Sequence, residues 1–280
     1  MSEDPLVTTA WMAERLGAPD VKVVDATWFL PTLKRDAKAE YAAAHIPGAV
    51  YFDIDDIADG ASTLPHMLPD ATKFASRVRK LGLGDGSRIV VYDANRFSAS
   101  ARVWWMFRLF GHQDVRVLDG GLEAWRAEGR PLSDDVVRPS ERHFTARQNN
   151  VLVRDLEQVR RNLVERREQV IDARSPGRFA GTEPEPRAGL RSGHIPNSIN
   201  LPHLDLIDPE SGRMRPIDDL RPRFVQRRVA LDAPIVTSCG SGVTAATVAL
   251  ALYRIGARDV AVYDGSWSEW GARDDTPVEV

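Results

Sequence analysis

Residues 237–246 read TSCGSGVTAA and hold the only cysteine of the chain, Cys239, with Gly240, Ser241 and Gly242 directly behind it. Thiolate, not thiol, is the nucleophile, and a helix N-terminus favours the thiolate. PIVTS before the cysteine reads as a strand and VTAATVALAL after it as a helix. Cys239 would then stand at a strand's carboxyl end, facing free backbone N–H groups and the positive end of a helix dipole. Gly240 and Gly242 let the chain curl so that the N–H groups of residues 240–244, Val243 and Thr244 among them, converge on one point. Such a cradle suits a thiolate, or a persulfide Cys–S–S⁻ formed by attack on a sulfur atom.

Other chemistry fits some of the same letters. A lone cysteine can be an inert buried filler. Gly240-Ser-Gly-Val-Thr-Ala245 matches a dinucleotide fingerprint with Asp259 near the ribose-binding distance, but it comes late in its domain and leaves the cysteine no task. A cysteine phosphatase needs an arginine six positions after the nucleophile to grip phosphate, and Ala245 stands there.

The elements that must position this loop read as α/β. VKVVDA (21–26), RIVVYDA (88–94) and VRVLDGG (115–121) are strand-like, and so are QVIDA (169–173), PIVTSC (234–239) and VAVYDGS (260–266). Their nearly continuous apolar character predicts parallel sheets flanked by helices. Helices are expected at SARVWWMFRLFG (100–111) and VTAATVALALYRIG (243–256), each closed by its final glycine.

These elements occur twice in the same order. VVDATW returns as VIDARS, HIPGAVYFD as HIPNSINLP, and VLDGGLEAW as VYDGSWSEW. A spacing of roughly 145–149 residues marks a duplicated domain, since solenoid repeats run about 20–50 residues. The polar stretch 131–150, with one aromatic, reads as a linker between domains at 1–130 and 151–280. Carrying the spacing back from Cys239 reaches Ala94 in YDANRFSAS, a loop with neither cysteine nor glycine. A purely architectural need for the cysteine loop would appear in both copies, so the second copy is expected to work alone.

Composition narrows the class. The chain has 280 residues, 43% of them hydrophobic and 28% charged, with a net charge of −3. That balance offers no general attraction for nucleic acid or an anionic membrane. MSEDPLVTT lacks an apolar segment and an Arg-rich face, and no apolar run is long enough to span a bilayer. One cysteine excludes an internal disulfide framework and cysteine-cluster metal sites, so a cytoplasmic location is expected.

Two HIP motifs, a cysteine loop in the second copy alone, and the phrases RVWWMFR, GRFAGTEPEPR and CGSGVTA together resemble the two-domain sulfurtransferases of the rhodanese superfamily, from about Val23 to Trp270. The resemblance implies tandem rhodanese-like domains and sulfur transfer through a Cys239 persulfide, with no metal or organic cofactor. Thiosulfate sulfurtransferases typically carry Arg and Lys after the cysteine; Gly240 and Ser241 give the CGSGVT form of 3-mercaptopyruvate sulfurtransferases. In that family two arginines matching Arg178 and Arg187 grip the substrate's carboxylate and keto end, a task suited to a forked guanidinium. Asp55, His66 and Ser241 match a proposed proton relay, and the sulfur acceptor is a thiol such as thioredoxin, or cyanide. A thiosulfate:cyanide sulfurtransferase and a persulfide carrier without turnover are the alternatives.

Structural readings stand beside these. Either arginine could pair with Glu183 or Glu185, and His66 could be an interface histidine. Asp53, Asp55, Asp56 and Asp59 miss the calcium-loop pattern because Ile57 takes a ligand position. His45 and His194 recur in both copies and are expected to support turns. Trp104, Trp105, Phe107, Trp125, Trp267 and Trp270 are expected in the core, and RRNLVERR (160–167) on a solvated helix face.

Overall fold

A computed structural model describes residues 4–280, which divide into two compact units. Among the described residues the first comprises 4–60, 68–149 and 209–214; the second comprises 61–67, 150–208 and 215–280. Each unit thus takes one short loop from the other half of the chain. His66 lies in such a loop and belongs to the second unit.

The first unit is built on strands β1 (Leu6–Val7), β2 (Val21–Asp25), β3 (Val50–Tyr51), β4 (Arg88–Tyr92) and β5 (Val115–Leu118). They form one parallel sheet in the order β1-β5-β4-β2-β3. Helices α1 (Thr9–Glu14), α2 (Ala37–Ala43), α3 (Ala71–Lys80), α4 (Ser98–Leu109) and α5 (Gly121–Ala127) flank it. The second unit repeats the plan with β6 (Val153–Arg154), β7 (Gln169–Asp172), β8 (Ile199–Asn200), β9 (Ile235–Ser238) and β10 (Val260–Tyr263). Its order, β6-β10-β9-β7-β8, is the same arrangement, again parallel. Its helices are α6 (Leu156–Glu165), α7 (Pro176–Phe179), α8 (Ile217–Gln226), α9 (Ala245–Arg254) and α10 (Ser266–Trp270).

The six strands expected from sequence are the inner strands; the two-residue outer strands are too short to leave a pattern. Val90, Val91 and Tyr92 are fully buried, as are Val236 and Val262, which explains the unbroken apolar runs. Met12, Val23, Tyr92, Leu122 and Trp125 join one core, and Val159, Val170, Ile195, Tyr263, Trp267 and Trp270 the other.

Helices α4 and α9 end alike. Gly111 (φ 97°) donates to Arg108 while His112 donates to Phe107; Gly256 (φ 101°) donates to Tyr253 while Ala257 donates to Leu252. Both are six-to-one closures whose left-handed residue is the expected glycine. The HIP histidines also act alike. His45 Nδ1 lies 2.8 Å from the Tyr41 carbonyl and stacks on that ring, and His194 Nδ1 lies 2.8 Å from the Phe179 carbonyl and stacks on Phe179. On α6 the basic run is largely exposed apart from Asn162, which is buried.

The stretch 131–149 lies on the first unit. Its one aromatic, Phe144, is fully buried among Phe74, Phe107 and His112. Arg79 donates twice to the Phe144 carbonyl, Asn149 N–H donates to Leu109 at the end of α4, and Arg147 N–H donates to Phe110, the residue after it. Phe144→Ala should lower unfolding stability by about 3–5 kcal/mol, read as a shift of the urea midpoint. An unchanged midpoint would show that this segment is passive.

Candidate active site

Strand β9 ends at Ser238 and α9 begins at Ala245, so Cys239 occupies the strand-to-helix turn that the sequence anticipates. Cys239 is 2% exposed, and Ser241 and Val243 are nearly as buried; Gly240 and Thr244 are the half-exposed residues of the loop. The Cys239 N–H donates to the Ser266 hydroxyl at 3.1 Å, and that hydroxyl donates to the Tyr263 carbonyl at 2.8 Å. The Cys239 carbonyl accepts from Trp267 N–H, and the Gly240 carbonyl accepts from both the N–H and the hydroxyl of Ser268. Strand β10 and helix α10 therefore hold the backbone on either side of the thiol. Ser266 does this from a left-handed conformation, φ 49°, unusual for a residue with a side chain.

The first unit shows what the loop does with an anion. Strand pairing aligns Asp25 with Tyr92 and Asp172 with Ser238, so the counterpart of Cys239 is Asp93, not Ala94. The carbonyl bonds agree: Leu122 N–H donates to Asp93 as Trp267 N–H donates to Cys239. The sequence offset missed by one because the loop from Asp93 to the left-handed Phe97 is one residue longer than that from Cys239 to the left-handed Gly242.

Asp93 fills the first cradle with its own carboxylate. One oxygen accepts from Asn95 N–H (2.9 Å) and Phe97 N–H (3.2 Å), the other from Ala99 N–H (3.1 Å) and Ser100 N–H (2.8 Å). Matching the two helix ends makes Gly242, Thr244 and Ala245 the counterparts of Phe97, Ala99 and Ser100. In the second unit Cys239 stands at the chain position that Asp93 holds in the first.

Beside the loop lies a buried ionic group that the sequence did not disclose. Arg174 is fully buried and donates to Asp172 at 2.6–3.1 Å, to Glu185 at 2.7 Å and to the Gly193 carbonyl at 2.8 Å, with Trp267 beneath it at 4.3 Å. Burial alone would weaken its charge; Asp172 and Glu185 outweigh that and hold the guanidinium above its usual pKa. Glu185, 3% exposed, also takes Arg178 as a fork, Nε at 3.1 Å and Nη2 at 2.6 Å. Glu183 instead accepts from the Ser175 hydroxyl. Arg178 is thus a fixed donor, 20% exposed, and not a loose surface charge.

Arg178 also explains Gly240. A Cβ on residue 240 would lie 2.8 Å from Arg178 Nη2, inside contact distance. His203 adds a neutral group here: its Nδ1 is 3.3 Å from the Ala173 carbonyl, and burial lowers its pKa to about 4, with the charge of Arg178 acting in the same direction. Arg187 is half-buried, its Nη2 3.3 Å from His66 Nε2. Guanidinium can only donate, so in that contact the imidazole nitrogen accepts. His66 itself is buried with φ 60°. Asp55 belongs to the first unit, where its carboxylate accepts from the Trp28 indole at 2.9 Å and its N–H donates to Asp53.

The rhodanese-like domain model matches residues 8–128 and again 155–273. The chain belongs to the rhodanese-like family. It is 45% identical to human 3-mercaptopyruvate sulfurtransferase over 274 residues, covering 96% of this chain and 92% of that protein. To bovine thiosulfate sulfurtransferase it is 43% identical over 272 residues, covering 95% and 91%. The crystal structure of Escherichia coli SseA, described as a 3-mercaptopyruvate sulfotransferase, superposes with a TM-score of 0.86 at 39% identity, covering 94% of this chain and 99% of that one. Both sulfur donors appear among these relatives at nearly equal identity, so donor choice must be argued from the site.

Three residues that frame the rhodanese-like site have no role in it from sequence, Arg174, Glu185 and Ser266, Glu185 entering there only as a pairing partner for an arginine. A signal existed for two of them. Arg174 stands where the first copy has Thr27, and Ser266 where it has Gly121, and positions at which the copies differ are where the cysteine itself was found. Asp93→Ala should lower stability by about 2–4 kcal/mol by orphaning three buried N–H groups and the part-buried one of Asn95. Loss of less than about 0.5 kcal/mol in chemical denaturation would mean that the loop needs no anion.

Proposed function

We propose that the chain is a 3-mercaptopyruvate sulfurtransferase working through a persulfide on Cys239. The observation that carries this reading is Arg178 beside Gly240: a Cβ there would lie 2.8 Å from Arg178 Nη2, so a side chain directly after the cysteine would have to displace the guanidinium that Glu185 holds. A second cation there would crowd Arg178 and meet its like charge, which disfavours that way of holding a dianionic donor. Charge recognition falls instead to Arg178 and Arg187, whose forks suit a carboxylate and a keto oxygen.

In this reading Cys239 attacks the sulfur of 3-mercaptopyruvate as thiolate. The new S–S bond forms as the C–S bond of the substrate breaks, and its electron pair passes into the pyruvate enolate. An arginine on the keto oxygen stabilises that charge as it develops. The proton of the substrate thiol ends on the enolate carbon, giving pyruvate and an anionic persulfide. Ser241, His66 and Asp55 are assigned to this proton movement by their likeness to the family relay. N–H groups from Gly240 to Ala245 stabilise the outer sulfur, as four N–H groups stabilise the Asp93 carboxylate. A thiol such as that of reduced thioredoxin, or cyanide, then takes the outer sulfur by attack on the S–S bond. A reducing cytoplasm suits the lone thiol.

Cys239→Ala should abolish transfer while leaving the unfolding midpoint near wild type. Gly240→Ala should keep the nucleophile but displace Arg178, lowering kcat/KM for mercaptopyruvate about 10-fold or more and thiosulfate use far less. Transfer by the Cys239→Ala protein would overturn the mechanism, and equal losses with both donors in Gly240→Ala would overturn the donor assignment.

A further inference from the structure

We propose that Glu185 sets donor specificity by cancelling the charge of Arg178, an inference that rests on the reading of Arg178 as a substrate clamp. Glu185 is the one carboxylate that bridges two arginines of the site, Arg174 at 2.7 Å and Arg178 at 2.6 Å, with its side chain 3% exposed. Asp172 completes the group by taking the other edge of Arg174. Two guanidinium groups and two carboxylates make the cluster electrically neutral, although one of its members stands directly over Gly240.

Arg178 therefore meets substrate as a directed donor and not as a net positive charge. Its Nε and one Nη2 hydrogen are spent on Glu185, and Nη1 with the other Nη2 hydrogen remains to bind an oxygen. A carboxylate and a keto oxygen, one negative charge between them, can use such a donor. Thiosulfate carries two charges on a compact group and gains most from uncompensated positive charge near the cysteine. Neutralising Arg178 withholds that advantage, so Glu185 favours the monoanion without touching either substrate.

Glu185→Gln separates charge from shape. The amide keeps the volume and one acceptor oxygen, but the cluster becomes positive by one, and its NH2 faces the donors of one arginine. Asp172 and the Gly193 carbonyl still hold Arg174. Glu185→Asp keeps the charge and shortens the reach by one methylene.

The test is steady-state kcat and KM for 3-mercaptopyruvate and thiosulfate, with cyanide as acceptor, in wild type, Glu185→Gln, Glu185→Asp and Arg178→Ala. In Glu185→Gln the KM for mercaptopyruvate should rise, and the ratio of kcat/KM for thiosulfate over mercaptopyruvate should increase about tenfold or more, the scale of one poorly screened charge. In Glu185→Asp mercaptopyruvate KM should rise with the donor ratio unchanged. Equal losses with both donors in Glu185→Gln would make Glu185 a strut of the fold and overturn the proposal. Should that variant fail to fold, Glu185→Asp decides: a shifted donor ratio overturns the proposal and an unshifted one supports it. Arg178→Ala with undiminished mercaptopyruvate use would instead overturn the clamp itself, and the proposal with it.

Discussion

The structure turns on one arrangement, backbone N–H groups converging where a buried parallel strand runs into a helix. Those groups need an anion, because buried donors without a partner cost about 1–3 kcal/mol each. The first unit supplies the anion covalently, as the carboxylate of Asp93 with four N–H bonds. The second unit places Cys239 at the same point. The two copies thus set different groups, a carboxylate and a thiol, at the same point of the loop. In the proposed reaction the persulfide is the anion held at that point, which gives a physical reason for a sulfur atom to stay there between donor and acceptor.

Around that cradle the protein fixes charge with little freedom. Arg174 has no exposure and three kinds of partner, and through Glu185 it fixes Arg178. Burying such a group is expensive, and the cost is offset only because each guanidinium edge meets an acceptor. The closeness of Arg178 to the loop then favours a residue without a side chain at 240, since a Cβ there would push the guanidinium aside. Gly240 is thus favoured by a neighbour and not by its own backbone angle, since the left-handed residue of the loop is Gly242.

Much of this was legible in the sequence, and the misses have physical causes. The inner strands were readable because both faces are buried, and the duplication because strand, HIP turn and tryptophan return in order. The outer strands are two residues long and carry no period. An offset taken from VLDGGLEAW and VYDGSWSEW points to Ala94 and not Asp93, because it is blind to a loop that differs by one residue between the copies; strand pairing is not. Phe144 looked like the lone aromatic of a linker, yet it is the plug that fastens residues 131–149 to the first unit. The pairing of Arg178 was left open between Glu183 and Glu185, since two carboxylates two residues apart differ only in where a short helix aims them. Arg174 had no feature of its own in sequence; its partners, Asp172, Glu185 and Gly193, come from a strand end and two loops.

The central claim is that Cys239 stores sulfur as a persulfide in its cradle. It is tested most directly by incubating the protein with 3-mercaptopyruvate without an acceptor and measuring the intact mass of the peptide that contains Cys239. The account predicts a peptide heavier by one sulfur atom, returning to its original mass when cyanide is added. Pyruvate release with the Cys239 peptide never gaining sulfur would contradict it.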